Sequence, residues 1–337
     1  MNKSSVTQDG LRGGRPGAEA TVGVNVPPGP SGGPRRKHRR GEPEFRSYYG
    51  QPILNDVHWS APDIPGYLFV GGLAGSSGVI AALAQATRRR RLARMAKWGA
   101  AGGTYVSFVL LIHDLGRPSR FLNMLRMFKI TSPMSVGSWL LSGLSGAATV
   151  AALSDSTGKA RRIGALATAG AGAFGPAVAT YTAALISDTA VPAWHDGHRL
   201  MPFVFATSAL SSGAGLGLLA APADESAPLA PLAAAAGLGE LALTKAMEHE
   251  TGIAQETFES GTAGRYLRAA EVATGAGSLL ALTARRSRVR SALAGAALLA
   301  GSALTRFGIF EAGVASVQDP KYTVLPQRER RNGSRPA

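Results

Sequence analysis

Residues 64–86 read IPGYLFVGGLAGSSGVIAALAQA, a run without Asp, Glu, Lys or Arg, and four arginines follow at 88–91. A helix rises about 1.5 Å per residue, so roughly 20 apolar residues match the ~30 Å hydrocarbon core of a bilayer. An uncharged run ending in a block of arginines is how such a helix leaves the core. The same pattern recurs, and eight spans are expected at about 64–86, 98–113, 133–153, 163–187, 200–221, 227–247, 265–284 and 291–316. The second is short and is expected to begin near Met95, while Pro228, Pro231 and Glu240 dilute the sixth. Gly71, Gly72 and Gly75, like Gly170 and Gly172, suit close helix approach, or simply reflect an Ala/Gly-rich composition.

Composition agrees. The net charge is +15, which alone would point to nucleic acid, but 45% of the 337 residues are hydrophobic and 17% are charged. An ordinary soluble domain carries about 25% charged residues. These values argue against a soluble enzyme and against a nucleic-acid-binding module. No cysteine is present, so disulfides, thiol catalysis and iron–sulfur ligation are excluded within the chain.

The flanks differ from the centre. Residues 1–46 are rich in Gly, Pro, Ser and Arg and read as a disordered basic tail, because they cannot bury enough apolar surface to offset ordering entropy. Arg35-Arg36-Lys37-His38-Arg39-Arg40 looks like a twin-arginine export signal, but Gly41-Glu42-Pro43-Glu44 follows instead of an apolar stretch. A tail drawn to anionic lipid or a partner is the expectation. Residues 317–337 read as a similar basic tail.

The first, third and seventh loops hold Arg88–91, Arg94, Lys97, Lys159, Arg161, Arg162, Arg285, Arg286, Arg288 and Arg290, thirteen basic residues in all. The even loops with their helix ends hold eight. This bias places the odd loops in the cytoplasm, and both basic tails then lie outside, which long segments tolerate.

Polar groups concentrate toward the even loops. Ionisable residues at membrane depth are costly and face a cavity, a pathway or a partner. Here they are His113 and Asp114, Asp188, Glu240 and Lys245, Arg268 and Glu271, and Arg306 and Glu311. The opposite half of each helix is expected to be free of them. His195 lies in the loop after Asp188, and Glu248-His249-Glu250 closes the sixth span. Loops holding both His and carboxylate can relay protons near neutral pH, although a lone His-Asp pair also serves as a cap. The six histidines lie in tails, loops or helix ends, so no facing pair for a haem is visible. His195 and His198 lack a third metal ligand, and the Gly-rich runs lack a phosphate-loop ending.

Several blocks resemble the polysulfide reductase membrane subunit family (NrfD/PsrC-like). They are Tyr48-Tyr49-Gly50-Gln51-Pro52, the entry from Ile64 to Gly75, and His113-Asp114-Leu115-Gly116-Arg117-Pro118-Ser119-Arg120-Phe121 with its continuation through Arg126 to Trp139. The resemblance covers about residues 48–316. It implies an all-α integral membrane protein of eight transmembrane helices in two four-helix bundles, without haem, in the cytoplasmic membrane. It further implies a bound quinone, menaquinone being the expectation, and a four-cluster iron–sulfur partner that commonly works with a molybdopterin oxidoreductase. On that footing Tyr67, His113, Asp114 and Arg117 are the expected quinone ligands, with His113, Asp114, Asp188 and His195 handling protons. Each has a plainer reading: Tyr67 as an interfacial aromatic, Arg117-Pro118 as loop shape, and Glu240, Glu271, Arg306 and Glu311 as pairs holding helices together. A purely structural anchor and an ion-coupled transporter are the rival functions.

Overall fold

The computed structural model describes residues 54–55, 57–284 and 287–333. Tyr48–Pro52, the tail 1–46 and Arg285–Arg286 lie outside the described residues. Among those described, the regular elements are all helices. The long ones are α1 (Asp63–Ala86), α2 (Arg90–Asp114), α4 (Pro133–Thr157), α5 (Arg161–Ser187), α7 (Met201–Ala220), α9 (Leu229–Glu250), α11 (Gly261–Thr283) and α12 (Arg288–Gln318). Short helices α3 (Ser119–Arg126), α6 (Pro192–Asp196), α8 (Ala223–Ser226) and α10 (Gln255–Glu259) lie between them, and α13 (Lys321–Gly333) follows.

Six of these, α1, α2, α4, α5, α7 and α12, are long and apolar enough to cross a membrane. The chain is therefore a multi-pass membrane protein by its helices. The other two expected spans, α9 and α11, form as helices but fall short in hydropathy, since α9 carries Glu240, Lys245, Glu248 and Glu250 and α11 carries Arg265, Arg268 and Glu271.

Local signals set several ends. Ser132 Oγ accepts from the Ser135 N–H and Pro133 sits at the first position of α4, while Gly158 closes that helix in the left-handed region at φ 68°. At the start of α2, the Leu92 N–H donates to Glu225 Oε2 at 2.8 Å, and Arg89 Nη1 donates to the Asp224 and Glu225 carbonyls. An acidic cap at a helix N-terminus is favourable. It offsets the arginines there, which is why α2 begins at Arg90 rather than near Met95.

That early start corrects the expectation of a charge-free half. Lys97 lies inside α2 with 5% of its surface exposed. It pairs with Asp155 near the end of α4, where Arg94 also binds. The polar groups are thus concentrated at both ends of the first helices, not at one. A second difference lies beyond residue 316, where α13 replaces the expected unstructured tail; Asp319 Oδ1 accepts the Lys321 N–H at 2.9 Å near its start.

Residues 58–316 form one compact unit. Within it α1 packs on α2, α5 and α7, and α4 packs on α2 and α5. α9 lies against α7 and α11. α12 reaches α7 through the Ser208–Ser302 hydroxyl pair at 2.8 Å. Small residues make these contacts possible. A Cβ on Gly75 of α1 would collide with the Gly175 carbonyl of α5, and the reverse holds too. The backbones touch because neither residue has a side chain. Gly75→Val is expected to push α1 and α5 apart and cost about 1–3 kcal/mol, read as a lower melting temperature in detergent. Gly102→Ala, which meets nothing within 4 Å, should leave that temperature unchanged or raised. Equal behaviour of the two variants would refute the contact.

Candidate functional site

At the end of the unit nearest the even loops, three segments meet. α1 begins with Asp63, α2 ends with His113 and Asp114, and residues 58–60 run up to α1. Asp63 is 6% exposed, and its Oδ2 lies 2.8 Å from His113 Nδ1. The neighbouring Asp114 Oδ1 accepts the Ser60 N–H at 2.8 Å. The His113 side chain is 77% exposed, so the ring is gripped on one edge and open on the other. A carboxylate against Nδ1 holds the neutral ring with its proton there and leaves a lone pair on Nε2. That is an outward-facing proton acceptor on a fixed mount.

Tyr67 follows Asp63 by one helical turn on α1 and is buried. Arg117 is exposed in the bend after α2, where Gly116 takes φ 65°. That bend leads into α3, none of whose residues is buried. Leu122, Met127, Phe128 and Ile130 are large apolar side chains left exposed in and after it. Phe121 packs edge-on against Phe108, and Phe128 against Trp139. The sequence pattern had no element here. The helix is short and its apolar residues are not part of the buried core, so periodicity could not separate it from a loop.

Asp188 and His195 are placed on the surface of the same unit. Asp188 is exposed at the end of α5, and His195 is exposed on α6, stacked on His198 at 5.6 Å. No hydrogen bond among the described residues joins either to His113 or Asp114. The link is indirect. Trp194, beside His195, stacks on Trp59 at 5.7 Å and donates its Nε1–H to the Ile309 carbonyl at 2.8 Å. Trp59 in turn adjoins Ser60, which holds Asp114. Gly313 of α12 leaves room for the indole, since a Cβ there would collide with the ring.

A second buried polar group lies deeper, between α7, α9 and α12. Glu240 and Arg306 are each 1% exposed. Glu240 Oε1 accepts from Thr305 Oγ1 at 2.8 Å. Arg306 stacks its guanidinium 3.6 Å from the Phe205 ring centroid and donates Nη2–H to the Phe205 carbonyl at 2.9 Å. Among the described residues Glu240 Oε2 and Arg306 Nε and Nη1 have no hydrogen-bond partner. Near the end of α9, Lys245 pairs with Glu248 at 2.9 Å and with Glu271 of α11. These arrangements fit the helix-holding reading for Glu240, Glu271 and Arg306. Glu311 is half-buried.

Sequence reasoning missed Asp63, since it sits one residue outside the expected first span. Its spacing of four from Tyr67 was the available signal. Among the described residues no three His, Asp or Glu side chains gather as a metal site. A family model described as polysulfide reductase matches residues 45–319. No curated protein matches the chain.

Proposed function

The chain belongs to the polysulfide reductase family, and from that membership we propose that it is the quinone-binding membrane subunit of a multi-subunit oxidoreductase. Membership makes it a membrane subunit of a redox complex. The finer reading is that it exchanges electrons between a quinone pool, with menaquinone as the carrier, and a four-cluster iron–sulfur subunit associated with a molybdopterin enzyme. The observation that carries it is the buried Asp63 carboxylate gripping His113, one turn from buried Tyr67.

This donor set fits a carrier with two ring oxygens. A bound quinol supplies two electrons, which leave for the partner, and two protons, which the protein must accept. His113 Nε2 takes a proton, and Asp63 stabilises the imidazolium that results. Tyr67 offers a hydroxyl to a ring oxygen, and Arg117 draws negative charge toward the mouth. Asp114 is the second acceptor, held in place by Ser60. Asp188 and His195, both exposed, pass protons on to water.

In this reading α9 and α11 also cross the membrane, giving eight spans as two four-helix groups joined through α1. Val272, Leu279 and Leu282 on α11 are exposed, as lipid-facing residues are. The odd loops face the cytoplasm of a cytoplasmic-membrane protein. The exposed apolar surface of α3, with Arg126 and Lys129 beside it, is then the extracytoplasmic docking face for the iron–sulfur partner.

Gentle-detergent purification followed by solvent extraction tests the proposal. About one quinone per chain, and electron transfer blocked by a quinone analogue, are expected. A quinone-free complex whose partner still reduces its acceptors insensitively would leave the chain a structural anchor. The second reading is an ion-coupled transporter with Asp188, Glu240, Lys245 and Glu271 as its conduit, for which the buried Glu240 carboxylate in mid-helix is the supporting observation. Ion flux through proteoliposomes of the isolated chain, with no redox donor, would establish that instead.

A further inference from the structure

At the other end of α2 from His113, a cavity of about 330 Å³ opens between α1, α2, α4 and α5. Four cations line it, Arg90, Arg94, Lys97 and Arg161, against the single carboxylate of Asp155. Asp155 is already engaged: Oδ2 takes Arg94 Nε at 2.6 Å and Oδ1 takes Lys97 Nζ at 3.5 Å. Lys97, nearly buried, gives one further N–H to Gln85 Oε1 at 2.9 Å and keeps its third. Arg90 and Arg161 are exposed and make no hydrogen bond or ion pair among the described residues. An adjoining hollow of about 310 Å³ shares Gln85, Arg90, Lys97 and Asp155 and adds Arg88. Such an excess of cations around a buried ammonium calls for an anion.

Its surroundings say what kind. Trp98, exposed with its Nε1–H on Ser156 Oγ at 3.2 Å, sits where aromatic side chains mark the headgroup level. Leu153, Ile163 and Leu166 are exposed apolar side chains within two residues of the lining residues Ser154, Gly164 and Ala165. A charged hollow thus adjoins an oily flank. We propose that this cavity binds a phosphate oxyanion, supplied by the phosphodiester headgroup of an anionic phospholipid whose acyl chains lie along α4 and α5. Guanidinium forks match phosphate oxygens in pairs, and Lys97 adds a point charge from beneath. Basic pockets between membrane helices hold lipid headgroups in this way.

Native mass spectrometry of the delipidated full-length chain, titrated with phosphatidylglycerol, phosphatidylcholine or inorganic phosphate, is the test. Phosphatidylglycerol should bind more tightly than phosphatidylcholine. Arg90→Gln with Arg161→Gln should weaken it roughly 30-fold, while thermal stability and quinone-coupled turnover stay at wild-type values. Phosphatidylglycerol that resists displacement by cellular concentrations of inorganic phosphate supports the lipid as source. Ready displacement supports the same site with the free anion as source. Equal affinity for the two lipids, or binding untouched by the double variant, overturns the proposal. Failure of the quinone reading would leave this result standing, since the two sites lie at opposite ends of α2.

Discussion

Asp63→Asn lowers quinone-coupled turnover by about 100-fold or more, with the partner complex still assembled. The expectation follows from the grip on His113. A carboxylate 2.8 Å from Nδ1 orients the ring and sits where it can balance the charge that develops on it during proton transfer. An amide can keep the ring in place but cannot stabilise the imidazolium. His113→Ala should lose as much, because it removes the acceptor itself, and the two together should lose little more than either alone. Ser60 binds Asp114, not Asp63, so Asp114→Asn tests the second acceptor separately. The readout is quinol oxidation by the purified complex, with gel filtration to confirm assembly. Wild-type turnover in both Asp63→Asn and His113→Ala would remove this pair from the mechanism.

Arg306→Leu is the largest expected loss of stability, about 3–5 kcal/mol. The guanidinium is buried against Phe205, and Glu240 lies close enough to interact with its charge. Removing the cation leaves a carboxylate with one free oxygen among apolar helices. Glu240→Leu added to Arg306→Leu should recover most of the loss, since an uncharged pair has nothing left unpaired. Glu240→Gln keeps the Thr305 hydrogen bond but leaves the buried guanidinium without its counter-charge, so it should cost nearly as much as Arg306→Leu. Unfolding in detergent measures all three. A double variant no more stable than Arg306→Leu alone would show that the two residues act independently.

The long helices were legible because the bilayer demands unbroken apolar runs, and residues 64–86 or 133–153 contain little that could be read otherwise. Their family was legible too, from the block at His113–Phe121. What was hidden were features that one helix cannot display. α2 looks too charged to start at Arg90 until Glu225, far along the chain, caps it. Lys97 looks out of place in a span until Asp155 and Gln85 are brought beside it. In the candidate site, His113 and Asp114 were visible as a pair at a helix end. Their anchors, Asp63 and Ser60, were not, because each contact joins positions about 50 residues apart. Asp188 and His195 were legible only as residue types: both side chains stand at the surface, and no hydrogen bond among the described residues joins either to His113 or Asp114.

The stacking of Trp59 on Trp194 gives the molecule an intrinsic optical label. Of four tryptophans, Trp59, Trp194 and Trp139 lie toward the His113 end, and Trp98 alone stands beside the basic cavity. A Trp98→Phe variant therefore emits from one end only. Subtracting its spectrum from that of the parent isolates the other. Brominated lipids or a quenching quinone analogue can then report, in real time and without attached dyes, which end each ligand visits.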